Sequence, residues 1–400
     1  MKRRITYAGI IALALFACSA EFNSGPKNRP VAELHFDSVR GGIAFFPATV
    51  NSAGPFQFLL DTGGGGSHID REIANRLGVK LARGAASVSG SADLEVGVIP
   101  SAVIGVGAIQ YRGQLIASPL APLEPIFGRP FEGIIGGDFL QGYVLEMDYE
   151  KEVMRLYKPA AYQYVGSGKS LQISFAQGIP FVNLELMLTN GKSVKGDFLI
   201  DTGGGMSIHI LKQIAERDRL LDGLSTLEEI GRGLGGETSH KVVRGAALSI
   251  GEYRLSGPVV AVTEDDAGLS ANQNSVGSVG MEVLGRFNLT LDYSRKLLHL
   301  EPNRNFRVPF VYDASGLRFR ATRPSFSPPY VFSVRDPSPA KEAGIESGDL
   351  LLQIDRHSTS VLSVENIREA LKEPGKVHKL SLSRKGKTIE VMLKTRDLLE

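Results

Sequence analysis

The sequence lacks several features that would point to metal, nucleotide or nucleic-acid chemistry. Its seven histidines and single cysteine do not cluster at metal-ligand spacing, so we predict no metal site and no cofactor. The glycine-rich runs lack the Lys-Ser/Thr pair of a phosphate-binding loop, and no serine lies in a recognisable hydrolase elbow. Lys plus Arg (45) nearly balance Asp plus Glu (43) without a long basic run, so we expect no nucleic-acid binding.

The chain is long and rich in turn residues. Four hundred residues exceed what one compact core accommodates, so two or three domains are expected. The 46 glycines suit a β-rich chain, and from residue 33 short alternating apolar runs are split by Gly, Asn and Pro. Residues 45–50 and 56–60 are predicted strands joined by a polar turn at 51–54, and residues 71–77 are a short helix candidate.

The N-terminus has the pattern of an export signal. Residues 2–4 are basic and residues 5–16 are mostly apolar, a run too short to span a membrane comfortably. We therefore expect residues 1–17 to be a cleaved signal peptide, followed by a flexible tether at 18–32. A lone cysteine cannot form an internal disulfide, so Cys18 needs another explanation.

The end of this signal resembles a bacterial lipobox, in which cleavage precedes a lipidated cysteine. The resemblance implies that a lipid on Cys18 attaches the protein to a membrane, facing the periplasm of a bacterial cell envelope. Ser19 after the cysteine favours the outer membrane. The alternative is an ordinary cleaved signal with an incidental cysteine.

An internal repeat organises most of the sequence. FLLDTGGG at residues 58–65 returns as FLIDTGGG at 198–205, with seven of eight positions identical. Two further pairs follow in the same order, at 98–117 with 242–261 and at 135–149 with 279–293. The three offsets are 140, 144 and 144 residues, so the chain contains two copies of a β-rich unit at about 33–160 and 161–305.

Each copy places an aspartate where an apolar strand ends and a glycine run begins. Glycines allow a tight turn and a close approach of another backbone, so Asp61 and Asp201 should lie at loop tips supported by buried strands. Two carboxylates brought close together cannot both ionise, so one retains a proton. Such a pair can activate a water and polarise a carbonyl, which hydrolyses an amide without a metal.

The duplicated motif resembles that of the pepsin and retropepsin type of aspartic protease. The resemblance implies a mainly β, bilobal acid-protease β-barrel fold in which Asp61 and Asp201 are catalytic, peptide or protein is the substrate, and no homodimer is required. It also implies supporting roles for residues that flank the motif or follow it in each copy. These are Thr62, Gly63, Thr202, Gly203, Ile135, Gly136, Val279 and Gly280. Ser67 and Ser207 occupy a small hydroxyl position found after the motif in many relatives.

The motif departs from the pepsin pattern at one position. Gly64 and Gly204 stand where Ser usually follows Asp-Thr-Gly and hydrogen-bonds the carboxyl pair. Fewer donors to a charged pair should raise its pKa, so we predict activity closer to neutral pH than in gastric enzymes. The disulfides of pepsin-like relatives are also absent.

Two hairpins are candidates for the flaps that cover the cleft in this family. They are residues 83–94 and residues 231–239, and since neither has an aromatic tip we assign no flap residue. His68 and His209 follow the two motifs at unequal distances and are interpreted as ordinary structural residues. Two alternatives stay open at this point: the aspartates only turn the chain, or the fold is a decayed protease serving as a peptide-binding scaffold lipoprotein.

Residues 306–400 break the repeat and resemble an α+β PDZ domain. SPA at 338–340, AGI at 343–345 and GDL at 348–350 form its most recognisable run, and residues 364–371 match the helix that lines the peptide groove. Helices are also predicted at 339–343, and strands at 330–334, 350–354, 379–383 and 388–393.

The resemblance implies a carboxylate-binding loop formed by Gly316, Leu317, Arg318 and Phe319. A peptide C-terminus would then add to the open sheet edge beside this loop. Arg318 replaces the usual third glycine, which either adds a charge for the carboxylate or indicates a different ligand. The alternative is a PDZ fold that serves as an intramolecular brace.

Overall fold

A computed structural model describes residues 28–86, 94–264 and 275–399. The predicted signal peptide, Cys18, Ser19 and residues 87–93 of the first flap candidate lie outside these residues. The described chain is mainly β, with two similar lobes followed by a smaller α+β domain.

Lobe one is built around the first copy of the repeated motif. Strands β2 to β9 form one sheet in the order β2-β3-β4-β9-β5-β8-β7-β6. Its elements are β1 Ala32–His35, β2 Asp37–Val39, β3 Ile43–Val50, β4 Ala53–Leu60, β5 His68–Asp70, α1 Arg71–Arg76, β6 Ala82–Ala86, β7 Leu94–Val106, β8 Ile109–Ser118, a 3₁₀ turn Ala121–Leu123, α2 Glu124–Phe127, β9 Gly133–Ile135, α3 Gly137–Leu140, β10 Val144–Asp148 and β11 Val153–Tyr157.

Lobe two repeats the same pairings with different residues. In each lobe the strand before the aspartate runs parallel to the short strand before the later apolar-Gly pair. Its elements are a 3₁₀ turn Pro159–Ala161, β12 Lys169–Ala176, β13 Ile179–Leu188, β14 Ser193–Ile200, β15 Ile208–Ile210, α4 Lys212–Arg217, β16 Leu227–Gly233, β17 Gly236–Ile250, β18 Tyr253–Ser256, β19 Val259–Thr263, β20 Gly277–Val279, α5 Met281–Leu284, β21 Phe287–Asp292 and β22 Leu297–Pro302.

A sheet shared by both lobes joins them. Strand β10 of lobe one pairs antiparallel with β21 of lobe two, with Leu145 opposite Leu291. Strands β1, β11, β22 and β12 extend this sheet on either side. The side chains of Leu145, Met147, Leu289 and Leu291 are buried in one hydrophobic core that continues through both lobes.

The C-terminal domain has its own core and its own sheet. Its strands follow the order β23-β24-β25-β27-β28, so β23 is an edge strand. The elements are β23 Leu317–Arg320, β24 Tyr330–Val334, α6 Pro339–Glu342, β25 Leu350–Ile354, β26 His357–Ser358, α7 Val364–Ala370, β27 Val377–Arg384 and β28 Lys387–Lys394. Buried Phe319, Ile367 and Leu380 are part of a core separate from that of the lobes.

Most predicted elements agree with the structure within two residues, and two predictions need correction. The turn predicted at 51–54 contains only Asn51 and Ser52, because both adopt the left-handed backbone of a tight hairpin and β4 already begins at Ala53. The expected loop at 316–319 is largely strand β23, since Leu317 and Phe319 alternate inward with Arg318 between them.

The described residues include no helix long and apolar enough to cross a membrane.

Candidate active site

Parallel strand pairs place the two aspartates at equivalent positions. In lobe one, β4 lies beside β9 with Leu60 opposite Ile135, and the amide of Asp61 donates to the carbonyl of Ile135 at 3.0 Å. In lobe two, the amide of Asp201 donates to the carbonyl of Val279, also at 3.0 Å. Each aspartate therefore leaves its strand at a point fixed by the repeated apolar-Gly pair.

The two threonines that follow the aspartates tie the loops together. Thr62 Oγ1 donates to the carbonyl of Ile200 at 2.5 Å and accepts from the amide of Thr202 at 3.2 Å. Thr202 Oγ1 donates to the carbonyl of Leu60 at 3.1 Å and accepts from the amide of Thr62 at 3.0 Å. Both side chains are buried, so these four reciprocal bonds hold the loops in fixed register without water.

The carboxyl groups of Asp61 and Asp201 meet at the centre of this arrangement, close enough for each to shift the pKa of the other. A Cβ added to Gly63 would lie 3.1 Å from an oxygen of each carboxyl, so a side chain there would intrude on the pair. The amide of Gly63 donates to Asp61 at 2.8 Å, and that of Gly203 donates to Asp201 at 3.0 Å.

Burial raises the pKa of both carboxyls above the ordinary range. For Asp201 the negative charge of Asp61 raises the pKa further, while backbone amides of the glycine loops oppose the shift for both groups. The pair therefore retains one proton well above the pH at which an exposed aspartate ionises.

The repeated apolar-Gly pairs support the loops from behind. A Cβ on Gly136 would fall inside contact distance of the carbonyl of Gly66, and one on Gly280 would do the same at Met206. The amide of Gly136 donates to Ser67 Oγ at 3.1 Å, and the amide of Gly280 to the carbonyl of Ser207 at 3.0 Å.

Two acidic residues that the sequence analysis did not assign complete this support. Ser67 Oγ donates to Asp138 at 2.6 Å, and Ser207 Oγ donates to Glu282 at 2.7 Å. Burial raises the pKa of both carboxyls. Their signal was present, because each is three residues after Ile135 or Val279 and stands in an otherwise apolar run.

A cavity of about 670 Å³ opens above the carboxyl pair. On the side of lobe one its wall includes the apolar side chains of Leu123, Ile126, Phe127 and Phe131, together with Arg40. On the side of lobe two Met206 and Leu211 contribute. The carboxyl pair therefore lies at the bottom of a cavity whose walls can accommodate apolar side chains.

The two histidines that follow the motifs also line the cavity. Burial lowers the pKa of His68 to about 4, and its Nδ1 lies 2.8 Å from Ser118 Oγ. Burial and the neighbouring ring of His240, stacked at 4.9 Å, lower the pKa of His209 to about 3. Both imidazoles are therefore neutral at physiological pH. Among the described residues, no cluster of His, Cys, Asp or Glu could hold a metal ion.

Comparison with known protein families agrees with this geometry. The aspartyl protease family matches twice, at residues 46–139 and 184–283, and each match contains one of the paired aspartates. Both lobes belong to the aspartyl protease family. A PDZ domain matches at residues 331–384, which leaves β23 outside the match. No match was found among curated proteins.

The PDZ domain contributes to the same cavity. Its residues Arg318, Arg320, Phe332 and Lys372 line the side away from the carboxyl pair. Arg318 does not face an empty loop, because its guanidinium lies 2.6 Å from the carboxylate of Glu229 in lobe two.

The other predicted carboxylate-binding groups also have internal partners. Asp313 accepts hydrogen bonds from the amides of Ser315 at 2.9 Å and Gly316 at 3.0 Å, and the amide of Leu317 donates to Ser315 Oγ at 3.0 Å. The loop expected to receive a peptide carboxylate is thus filled by the chain itself.

Of the two flap candidates, the one in lobe two is described in full. Strands β16 and β17 form a hairpin closed by Leu234 and Gly235, and we call it the lobe-two hairpin. Its Ile230 is 57% exposed and lines the cavity. Ile230 lies one residue before the candidate segment 231–239, which the sequence analysis examined only for an aromatic tip.

Proposed function

We propose that this protein is an aspartic endopeptidase whose catalytic carboxyls are those of Asp61 and Asp201. The observation that carries the proposal is the convergence of these two groups, with raised pKa values, between loops locked by reciprocal bonds of Thr62 and Thr202. A structural turn would need neither the pairing nor the cavity above it.

The pair would work in its singly protonated form. The ionised carboxyl takes a proton from a bound water as the water oxygen attacks the carbonyl carbon of the peptide. The protonated carboxyl gives its proton to the carbonyl oxygen, which forms a tetrahedral diol. As the diol collapses and the C–N bond breaks, the first carboxyl gives its proton to the leaving amine and the second takes a proton from a diol hydroxyl. The pair therefore carries one proton throughout and ends in its starting form.

The cavity favours peptides with apolar side chains on both sides of the cleaved bond. Phe127 and Phe131 in lobe one and Met206 in lobe two offer apolar surface near the carboxyl pair. Each apolar side chain buried there contributes about 1.5–3 kcal/mol of transfer free energy.

The test compares residues 19–400 with the variants Asp61→Asn and Asp201→Asn on a library of internally quenched peptides. Each substitution removes the acid–base pair but leaves the loop hydrogen bonds possible, so we expect cleavage to fall by at least about a thousandfold. Asp222→Asn in an exposed ion pair of lobe two is the matched control and should cleave like wild type. Wild-type protein that cleaves nothing across the pH range would instead support the alternative, a protease-like scaffold without activity.

We also propose that the enzyme is a lipid-anchored protein of the bacterial envelope, facing the periplasm, on the sequence pattern ending at Cys18. The full chain expressed in a Gram-negative host should incorporate labelled palmitate and fractionate with outer membranes. Cys18→Ala should abolish the label. Retention of the label in that variant would contradict the proposal.

A further inference from the structure

The edge strand of the PDZ domain is where an added peptide strand would pair, and two main-chain groups on it or next to it already have other partners. The carbonyl of Phe319 accepts from Arg368 Nη2 at 3.1 Å. The amide of Ala321, two residues along, donates to the carbonyl of Pro125 in lobe one at 3.1 Å. Strand addition depends on these main-chain groups, so a peptide would have to displace both partners.

The displaced element would be residues 124–128 of lobe one, which we call the bridging segment. It spans the gap between β23 and α7: Arg368 Nη2 also donates to the carbonyl of Ile126 at 2.8 Å. A Cβ on Gly128 would lie 2.8 Å from Cγ2 of Val364, the first residue of α7. Arg323 binds Glu124 through two bonds of 2.6 and 2.5 Å.

A second contact joins the PDZ domain to the lobe-two hairpin. Besides Arg318, the carboxylate of Glu229 accepts from the hydroxyl of Tyr312, and Arg335 lies 4.0 Å away. Arg335 Nη1 also donates to the carbonyl of Glu228 at 2.5 Å. Burial alone would raise the pKa of Glu229, but these partners outweigh it and hold the pKa below its ordinary value. Glu229 is thus an ionised carboxylate at the place expected for a ligand's carboxylate.

We propose that these two contacts form a latch, in which the bridging segment and Glu229 fill the PDZ groove and limit how far the cleft can open. The latch consists of residues 124–128 and Glu229 with their PDZ partners. A peptide with a free C-terminal carboxylate competes for the same groups, and its binding releases the lobe-two hairpin and increases cleavage. The effect on cleavage rests on the proposed protease function.

The position of the latch explains how it would act on the cleft. Ile230 follows Glu229 directly and lines the cavity, so freeing Glu229 loosens this part of the hairpin, while Arg320 still lies 3.5 Å from Glu237 near the hairpin turn. The bridging segment includes Ile126 and Phe127 of the opposite cavity wall. The PDZ domain therefore contacts both sides of the entrance, and a single ligand can release both.

Charge variants test the latch at each contact. Arg323→Gln weakens the contact of the PDZ domain with lobe one, and Glu229→Gln weakens its contact with lobe two. The matched control is Lys379→Gln, which removes an exposed ion pair within the PDZ sheet. We expect faster amide hydrogen exchange in residues 227–240 and about three- to tenfold higher kcat/KM in both variants, with no change in the control. Unchanged exchange in the hairpin, or lower cleavage, would overturn the latch.

A reversible crosslink tests whether holding the latch closed lowers cleavage. Residues 19–400 contain no cysteine, and a Cβ on Gly128 would lie 3.0 Å from Cβ of Val364, close to disulfide geometry after a small shift. The Gly128→Cys/Val364→Cys protein should cleave about tenfold more slowly when oxidised and recover on reduction. Each single variant controls for substitution at Gly128. Equal rates in the oxidised and reduced states would contradict the latch.

The ligand is tested in the inactive Asp201→Asn protein, so the readout does not depend on catalysis. A pool of random hexapeptides with free C-termini should increase hydrogen exchange in residues 227–240, and the same pool with amidated C-termini should not. No response, or an equal response to both pools, would overturn the proposed ligand. If the active-site proposal fails, the latch can still be tested without cleavage. The readout is then hydrogen exchange in the charge variants and in the presence of the free and amidated hexapeptide pools.

Discussion

Substituting serine for Gly64 should move the pH profile of cleavage toward acid. A Cβ on Gly64 would lie 3.5 Å from Oδ2 of Asp61, an ordinary contact, so a serine hydroxyl can reach the carboxyl without displacing it. Donation to the charged form favours ionisation and lowers the pKa of the pair. Because the active form carries one proton, both limbs of the profile should shift to lower pH.

The size of the shift follows from the strength of one hydrogen bond. A bond to a charged group contributes about 1.5–3 kcal/mol, and one pKa unit corresponds to about 1.4 kcal/mol. Part of that gain replaces hydration of a carboxyl that faces the cavity, so we expect a shift of about one pH unit.

The same substitution in lobe two should behave differently. A Cβ on Gly204 would fall inside contact distance of Oδ2 of Asp201, so the carboxyl must shift from its present position. A displacement of about 1 Å at the reacting groups can cost about a hundredfold in rate, and we expect at least that loss in Gly204→Ser.

The assay records kcat/KM from pH 3 to 9 for wild type, Gly64→Ser, Gly204→Ser and Gly64→Ala. Alanine adds the Cβ without the hydroxyl, so its profile should match wild type. The reasoning is refuted if Gly64→Ser and Gly64→Ala give the same profile, or if the two serine variants respond alike.

Three further predictions follow from the site. Burial raises the pKa of both carboxyls, which extends the singly protonated form to higher pH, so wild type should have its optimum nearer neutral than pepsin; an optimum below about pH 3 in the same profile would contradict this. Thr62→Val leaves the buried carbonyl of Ile200 and amide of Thr202 without partners and should cost about 2–4 kcal/mol in urea unfolding, while exposed Thr189→Val should cost less than about 0.5 kcal/mol. Gly136→Ala drives a methyl into the carbonyl of Gly66 and should lower stability by about 1–3 kcal/mol, unlike Gly142→Ala, whose added carbon has one neighbour at 3.6 Å; equal thermal midpoints for the two would exclude this close approach.

The carboxyl pair was predictable because the sequence motif that forms it is short and occurs twice. The strand, the aspartate and the glycine run occupy consecutive residues, and the second copy shows that both loops have the same role. The sequence could not reveal the different environments of Gly64 and Gly204, because they depend on how each carboxyl group is oriented in the folded site.

The short helices show which elements cannot be predicted from neighbouring residues alone. α1 was predicted as a short helix, and the structure shows that Asp70 caps it, with its carboxylate accepting from the amide of Glu72 at 2.9 Å. Its counterpart α4 was missed, since it begins after Leu211 without a side-chain cap and so carries no start signal. The four-residue helices α3 and α5 follow the glycine N-caps Gly136 and Gly280, which offer no side-chain cap, and tertiary packing rather than propensity determines them.

The contacts of the PDZ domain were the least predictable part. Arg318 was identified as unusual, but its partner Glu229 is 89 residues away in another domain. Nothing in the sequence of the bridging segment, residues 124–128, predicts its contact with the PDZ domain, because that contact depends on how the folded surfaces of two domains meet. Of the two interpretations of the PDZ domain, a groove open to ligand and an internal brace, the described contacts correspond to the brace.

The shared sheet that joins β10 to β21 has a consequence for how this molecule could evolve. A protease assembled from two identical subunits must accept every substitution twice, once in each half. Here both halves belong to one polypeptide, so Glu124 and Glu229 could each be acquired on one side only, and a single appended domain can contact two unlike surfaces. Contacts on one side only, such as those of Glu124 and Glu229 with the PDZ domain, are therefore open to a chain that contains both halves and not to a pair of identical subunits.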